Sequence, residues 1–111
     1  MPTEPSEFKG SARLAADERK AVRIPVDWLA TIAAVKFETQ PVRIVDCTTS
    51  GCRIETAFAV TVGTFVHVAI PKFTEVPGWV AWSRPNAIGI DFSHPLPNLV
   101  LEHIIRQNEV V

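Results

Sequence analysis

Apolar and polar residues alternate in short runs along most of the chain, and turn-forming residues separate the runs. "PVRIVDC" (residues 41–47) sets Val42, Ile44 and Asp46 against Arg43, Val45 and Cys47, and "GCRIET" (residues 51–56) resumes after a polar break. A period of two is that of a strand with one buried face. The two runs therefore predict an antiparallel pair, with Gly51 supplying a positive φ in the turn. "TFVHVAI" (residues 64–70) alternates as cleanly, placing Phe65 and His67 on one face and Val66 and Val68 on the other. "GWVAWSR" and "AIGIDF" flank Pro85 and Asn86, a pair with turn chemistry, and read as a hairpin. Before them, "VDWLATIAAVKF" (residues 26–37) is β-branched and aromatic enough to be a strand despite its alanines.

Six short strands with turn residues between them predict a mainly β fold, a small antiparallel barrel that closes to remove its edges. The period then changes. Behind Pro97, the residues Leu96, Leu99, Val100, His103 and Ile104 recur at helical spacing, with Leu101 and Ile105 widening the stripe, so a C-terminal helix is expected to cap the barrel. At the other end, residues 1–16 carry prolines and scattered charge without a period, and read as a flexible arm in front of one domain over residues 17–111.

Composition narrows the function. A chain of 111 residues that is 47% hydrophobic and 21% charged supports one real core and no separate catalytic domain. Its net charge of -1 argues against nucleic acid as a partner, since bulk phosphate binding needs a basic face. No apolar run is long enough for a membrane span, and the first residues lack a leader pattern, so a cytoplasmic protein is expected. Free thiols are then the natural state of Cys47 and Cys52, and no second ligand pair stands at zinc spacing. His67, His94 and His103 are scattered, and Ser50 has no neighbouring histidine, so neither a metal site nor an enzyme is expected.

The remaining chemistry lies in two clusters. Arg19, Lys20 and Arg23 precede the first strand, and Asp46, Thr48 and Gly51 occupy the turn after the second, which a barrel can bring to one mouth. Guanidinium forks match phosphate oxygens and the O6/N7 edge of guanine, while a carboxylate complements the N–H donors of the opposite edge. Thr48 and the amides around Gly51 add polar groups. The set suits a guanine-bearing, doubly anionic ligand.

These residues resemble the PilZ domain, a bacterial receptor for cyclic di-GMP. "RKAVR" (residues 19–23) and "DCTTSG" (residues 46–51) are similar to the two halves of its signature, and "GWVAWSRPNAIGIDF" to its late tryptophan hairpin. The resemblance runs from about Glu18 to Leu96 and implies a split six-stranded barrel of PilZ type that binds cyclic di-GMP with no other cofactor. It further implies ligand contacts from Arg19, Lys20, Arg23, Asp46, Thr48, Gly51 and Trp82. Thr48 stands where the family usually has serine, and Glu18 where several members carry a base. The expected function is a receptor that passes second-messenger level to a downstream protein through ordering of its arm. The alternative is a degenerate PilZ-like protein-interaction module that does not bind nucleotide.

Overall fold

The computed structural model describes residues 23–109. Six strands and one helix follow one another there: β1 (Ile24–Ala34), β2 (Phe37–Cys47), β3 (Gly51–Glu55), β4 (Phe65–Ala69), β5 (Glu75–Arg84), β6 (Ala87–Phe92) and α1 (Asn98–Asn108). All neighbouring pairs are antiparallel, and the strands close into a barrel in the order β1-β2-β3-β6-β5-β4. The six-stranded barrel with a C-terminal helix is thus as the sequence predicts. Two strands are longer than expected. β2 begins at Phe37, with Val35 and Lys36 as the turn, and β5 begins at Glu75. Pro41 and Pro77 lie in the first halves of these strands, where the far neighbour has already ended: β3 pairs with β2 only from Arg43, and β6 with β5 only from Gly78. A proline is tolerated where a strand is locally an edge.

Ile32, Ile44, Ile54, Val66, Val68 and Ile88 fill the interior with no exposed surface, and Trp28 joins them at the barrel wall. Each such side chain contributes about 1.5–3 kcal/mol by leaving water. The alternation of residues 65–68 is as predicted, with Val66 and Val68 buried and Phe65 and His67 outside. The register shifts in β1 between Pro25 and Trp28 and between Ile32 and Ala34, in β2 between Ile44 and Asp46, and in β5 between Val80 and Trp82, and the last two break the parity around the site. A bulge inserts one residue and turns those after it to the other face. Hence Cys47, not Asp46, shares the inner face with Val42 and Ile44, and Asp46 points to the outer wall.

α1 starts behind Pro97 as its N-cap, with no side-chain cap. Leu101 and Ile104 are its buried residues, and Val100 and Ile105 pack beside them. Leu99 and His103 do not belong to this face: Leu99 is 76% exposed, and the stripe is centred one residue away from its predicted position. The entry to the helix is tied to the β2–β3 turn by Leu96 N–H donating to the Thr49 carbonyl (2.7 Å). Its end is tied to the β4–β5 loop by Asn108 Nδ2 donating to the Pro71 carbonyl (2.9 Å). α1 therefore lies across one mouth of the barrel, and that mouth is closed.

Candidate functional site

The β2–β3 turn is held from within. Thr48 N–H donates to the Gly51 carbonyl (2.9 Å), and Thr48 Oγ1 accepts from the amides of Ser50 (3.1 Å) and Gly51 (3.2 Å). A hydroxyl that bonds amides two and three residues on is a local substitute for a backbone turn. Both amides are thus partly engaged by Thr48. Gly51 does not take a positive φ; among the described glycines only Gly63 does. Its lack of a side chain serves close approach instead, because a Cβ at position 51 would overlap the Ile90 carbonyl oxygen of β6.

Pairing across β2, β3, β6 and β5 lays the outer wall out in rows. Asp46 faces Arg53, Arg53 faces Gly89, and Gly89 faces Trp82; one row further on, Gly51 faces Asp91 and Asp91 faces Trp79. Gly89 has no side chain, and the Trp82 indole occupies the space above it: a Cβ there would overlap the indole nitrogen and lie 2.7 Å from Cδ1. Arg84 places its guanidinium over the same ring, 4.8 Å from the centroid. On the other flank Arg53 Nε approaches Asp46 Oδ2 at 3.6 Å. Asp46 is the more sheltered partner, with its side chain 18% exposed.

A pocket of about 190 Å³ opens on this wall, lined by Arg23, Asp46, Thr48, Gly51 and Trp82 together with Ser50, Arg53, Gly89 and Asp91. All the site residues expected from sequence that fall within the described region therefore meet at one place. Arg19 and Lys20, Glu18 and the arm of residues 1–16 lie outside the described residues. The meeting place differs from the expected one. It is on the outer wall beside the mouth, because α1 occupies the mouth itself. Arg53 and Asp91 were not anticipated. Counting outward from the β2–β3 turn pairs Asp46 with Arg53, so that residue was within reach of sequence reasoning; Asp91 enters through the long-range β3–β6 pairing, which no local pattern announces.

Both cysteines are buried thiols. Cys47 is pushed up to about 12 by burial, then by the charge of Asp46, against the opposing effect of a backbone hydrogen bond at Thr48. Burial likewise holds Cys52 well above the usual thiol range. Neither offers a thiolate for chemistry at neutral pH. Among the described residues, no three metal-ligating side chains cluster, and no helix is long and apolar enough to cross a membrane.

A closed six-stranded barrel whose outer wall carries a polar, arginine-flanked pocket next to a helix-capped mouth defines a small binding domain. The family model for the PilZ domain matches residues 17–108, and the chain belongs to that family, whose members are cyclic di-GMP receptor domains. No curated protein matches the sequence. Among solved structures, the PilZ domain of CeSA from a cellulose-synthesizing bacterium is similar over 78% of this chain and 93% of its own, at 15% identity and a TM-score of 0.57. The inhibitor of motility of Bacillus subtilis, MotI/DgrA, is similar over 80% of this chain at 16% identity and a TM-score of 0.58. The present chain spans 50% of that protein's length. At such identities the likeness is one of fold.

Proposed function

We propose that the protein is a cyclic di-GMP receptor, with the outer-wall pocket as the core of the nucleotide site. The observation that carries this reading is the convergence of Arg23, from the segment before β1, with Asp46, Thr48 and Gly51 of the β2–β3 turn and with Trp82, all lining one pocket. A guanidinium and a carboxylate within one recess complement the acceptor edge and the donor edge of guanine respectively. The volume of about 190 Å³ is below the roughly 300 Å³ at which sites for drug-sized ligands begin, so the pocket takes part of the nucleotide and leaves part outside. Arg19 and Lys20 are suited to that outer part. Four residues of chain reach at most about 14 Å, so Arg19 stays within that distance of Arg23. In this reading, binding orders the segment before Arg23 over the nucleotide and changes the surface offered to a partner protein.

Calorimetric titration of the whole chain with cyclic di-GMP tests the reading. Arg23→Ala should weaken binding by about tenfold to a hundredfold, the worth of one charge-assisted contact, while the circular dichroism of the barrel is unchanged. Slowed amide exchange over residues 11–22 on binding would support the arm as the switch; protection only around residues 46–51 would remove it. A second reading, a PilZ domain retained for protein contact alone, draws on the Asp46–Arg53 ion contact, which gives the carboxylate a counter-charge without any ligand. Wild-type protein that takes up no cyclic di-GMP would select it.

A further inference from the structure

The outer row next to the pocket holds a constellation that the nucleotide reading does not use. Asp91 and Trp79 stand directly opposite each other across β6 and β5, and Trp79 stands opposite Phe65 across β5 and β4. Side chains so opposed share one face with Cβ atoms about 4.5–5.5 Å apart. Trp79 is 49% exposed and Phe65 39%, with their ring centroids at 4.6 Å, and His67 adds its ring edge to Phe65 at 5.2 Å. Single exposed apolar residues are ordinary, but here two rings in tilted contact stand beside a carboxylate on a sheet face. On its other side Asp91 faces Gly51, which has no side chain, so the carboxylate borders the pocket directly.

Asp91 lies at the edge of the pocket, and the nucleotide reading, which gives the guanine donor edge to Asp46, assigns it no contact. It forms no ion pair among the described residues. What complements a carboxylate beside an exposed indole is a cation, which is drawn to the ring face within about 6 Å of its centroid and pairs with the acid. The same wall already displays half of this arrangement, where Arg84 lies over Trp82. Trp79 has no such partner among the described residues.

We propose that Asp91, Trp79 and Phe65 form a docking site for a basic segment of a partner protein, whose arginine or lysine lies on the Trp79 ring and pairs with Asp91 while neighbouring apolar groups cover Phe65. Docking itself is independent of the nucleotide. One extension rests on the cyclic di-GMP reading: phosphates held at the Gly51 flank put further negative charge beside Asp91, and the basic segment then binds more tightly.

Nitrogen-15 correlation spectra of the full chain, titrated with acetyl-Gly-Arg-Gly-Arg-Gly-amide and with its citrulline twin, test the site. The arginine peptide should shift the Trp79 indole N–H and the Phe65 and Asp91 amides, and the citrulline peptide should not. Trp79→Ala and Asp91→Asn should each weaken the arginine peptide about tenfold. Equal shifts with citrulline, shifts that map elsewhere, or unchanged affinity in both variants would overturn the proposal. So would self-association that Trp79→Ala abolishes, since the face would then belong to a second copy. Repeating the titration with saturating cyclic di-GMP should tighten the peptide; if the nucleotide moves neither Gly51 nor Trp82, the receptor reading fails and the docking site still stands or falls on the peptide data.

Discussion

Trp82 lies across Gly89, with its indole filling the space that a side chain at position 89 would take. The bulge at Ala81 makes this possible, since strict alternation after Val80 would turn residue 82 into the core. Gly89→Ala should therefore displace a side chain, whereas Gly51→Ala meets the backbone of β6, which has no rotamer to give. We expect Gly89→Ala to shift Trp fluorescence and weaken cyclic di-GMP at a cost of about 1 kcal/mol in stability, and Gly51→Ala to cost about 2–3 kcal/mol. Urea midpoints rank the two, and equal losses would contradict the side-chain versus backbone distinction.

Asp46 and Arg53 make a second asymmetric pair, with the carboxylate sheltered and the guanidinium half exposed. An ion contact this accessible is worth about 1 kcal/mol or less, so Arg53→Ala should leave the fold intact. Asp46→Ala should weaken cyclic di-GMP more than cyclic di-AMP, because only guanine presents the N–H donors that a carboxylate accepts. Parallel titrations with the two nucleotides decide it; equal losses would mean that the pocket does not read the base.

Thr48 works on its own turn before it works on any ligand. Thr48→Val keeps the shape and removes the acceptor from the amides of Ser50 and Gly51, for an expected loss of about 1–2 kcal/mol. Thr48→Ser retains the acceptor and should remain within about 0.5 kcal/mol of wild type. Thermal unfolding of the two variants measures the difference, and identical melting would show that the hydroxyl is not holding the turn.

The thiols give a pH prediction with a definite sign. Cys47 ionises at about 12 in the folded chain against an ordinary 9.0, so above pH 9 the unfolded state loses its proton first. This contribution to stability is complete below pH 9 and is lost as pH rises through about 12. Stability should accordingly decline on the alkaline side, and less steeply in Cys47→Ala. At pH 8 both thiols should react with a disulfide reagent only after denaturation. Rapid labelling of the native protein would refute their burial.

Much of this was legible in the sequence because the signals are local. Alternation in residues 65–68, the Pro85–Asn86 turn and the helical spacing after Pro97 each depend on near neighbours, and each element is present. The two motif halves likewise named Arg23, Asp46, Thr48 and Gly51, and the tryptophan hairpin named Trp82, and all five share a pocket. What failed depends on distant contacts. No glycine or proline marks the bulges at Val45 and Ala81, so parity misplaced Asp46 on the inner face. The reason for Gly51 lies in Ile90, 39 positions away, and not in its own turn. The mouth was assigned to the ligand and the helix to a cap, and only packing shows that one position cannot serve both.

The barrel consists of two three-stranded meanders, β1-β2-β3 and β4-β5-β6, joined by five residue pairs along β3–β6 and three along β1–β4. The pocket straddles the longer seam: Arg23, Asp46, Thr48 and Arg53 come from the first meander, Trp82, Gly89 and Asp91 from the second. A molecule seated there is a staple across two half-shells. Its binding energy resists their shearing apart, and thermal breathing is left to the short seam on the far side.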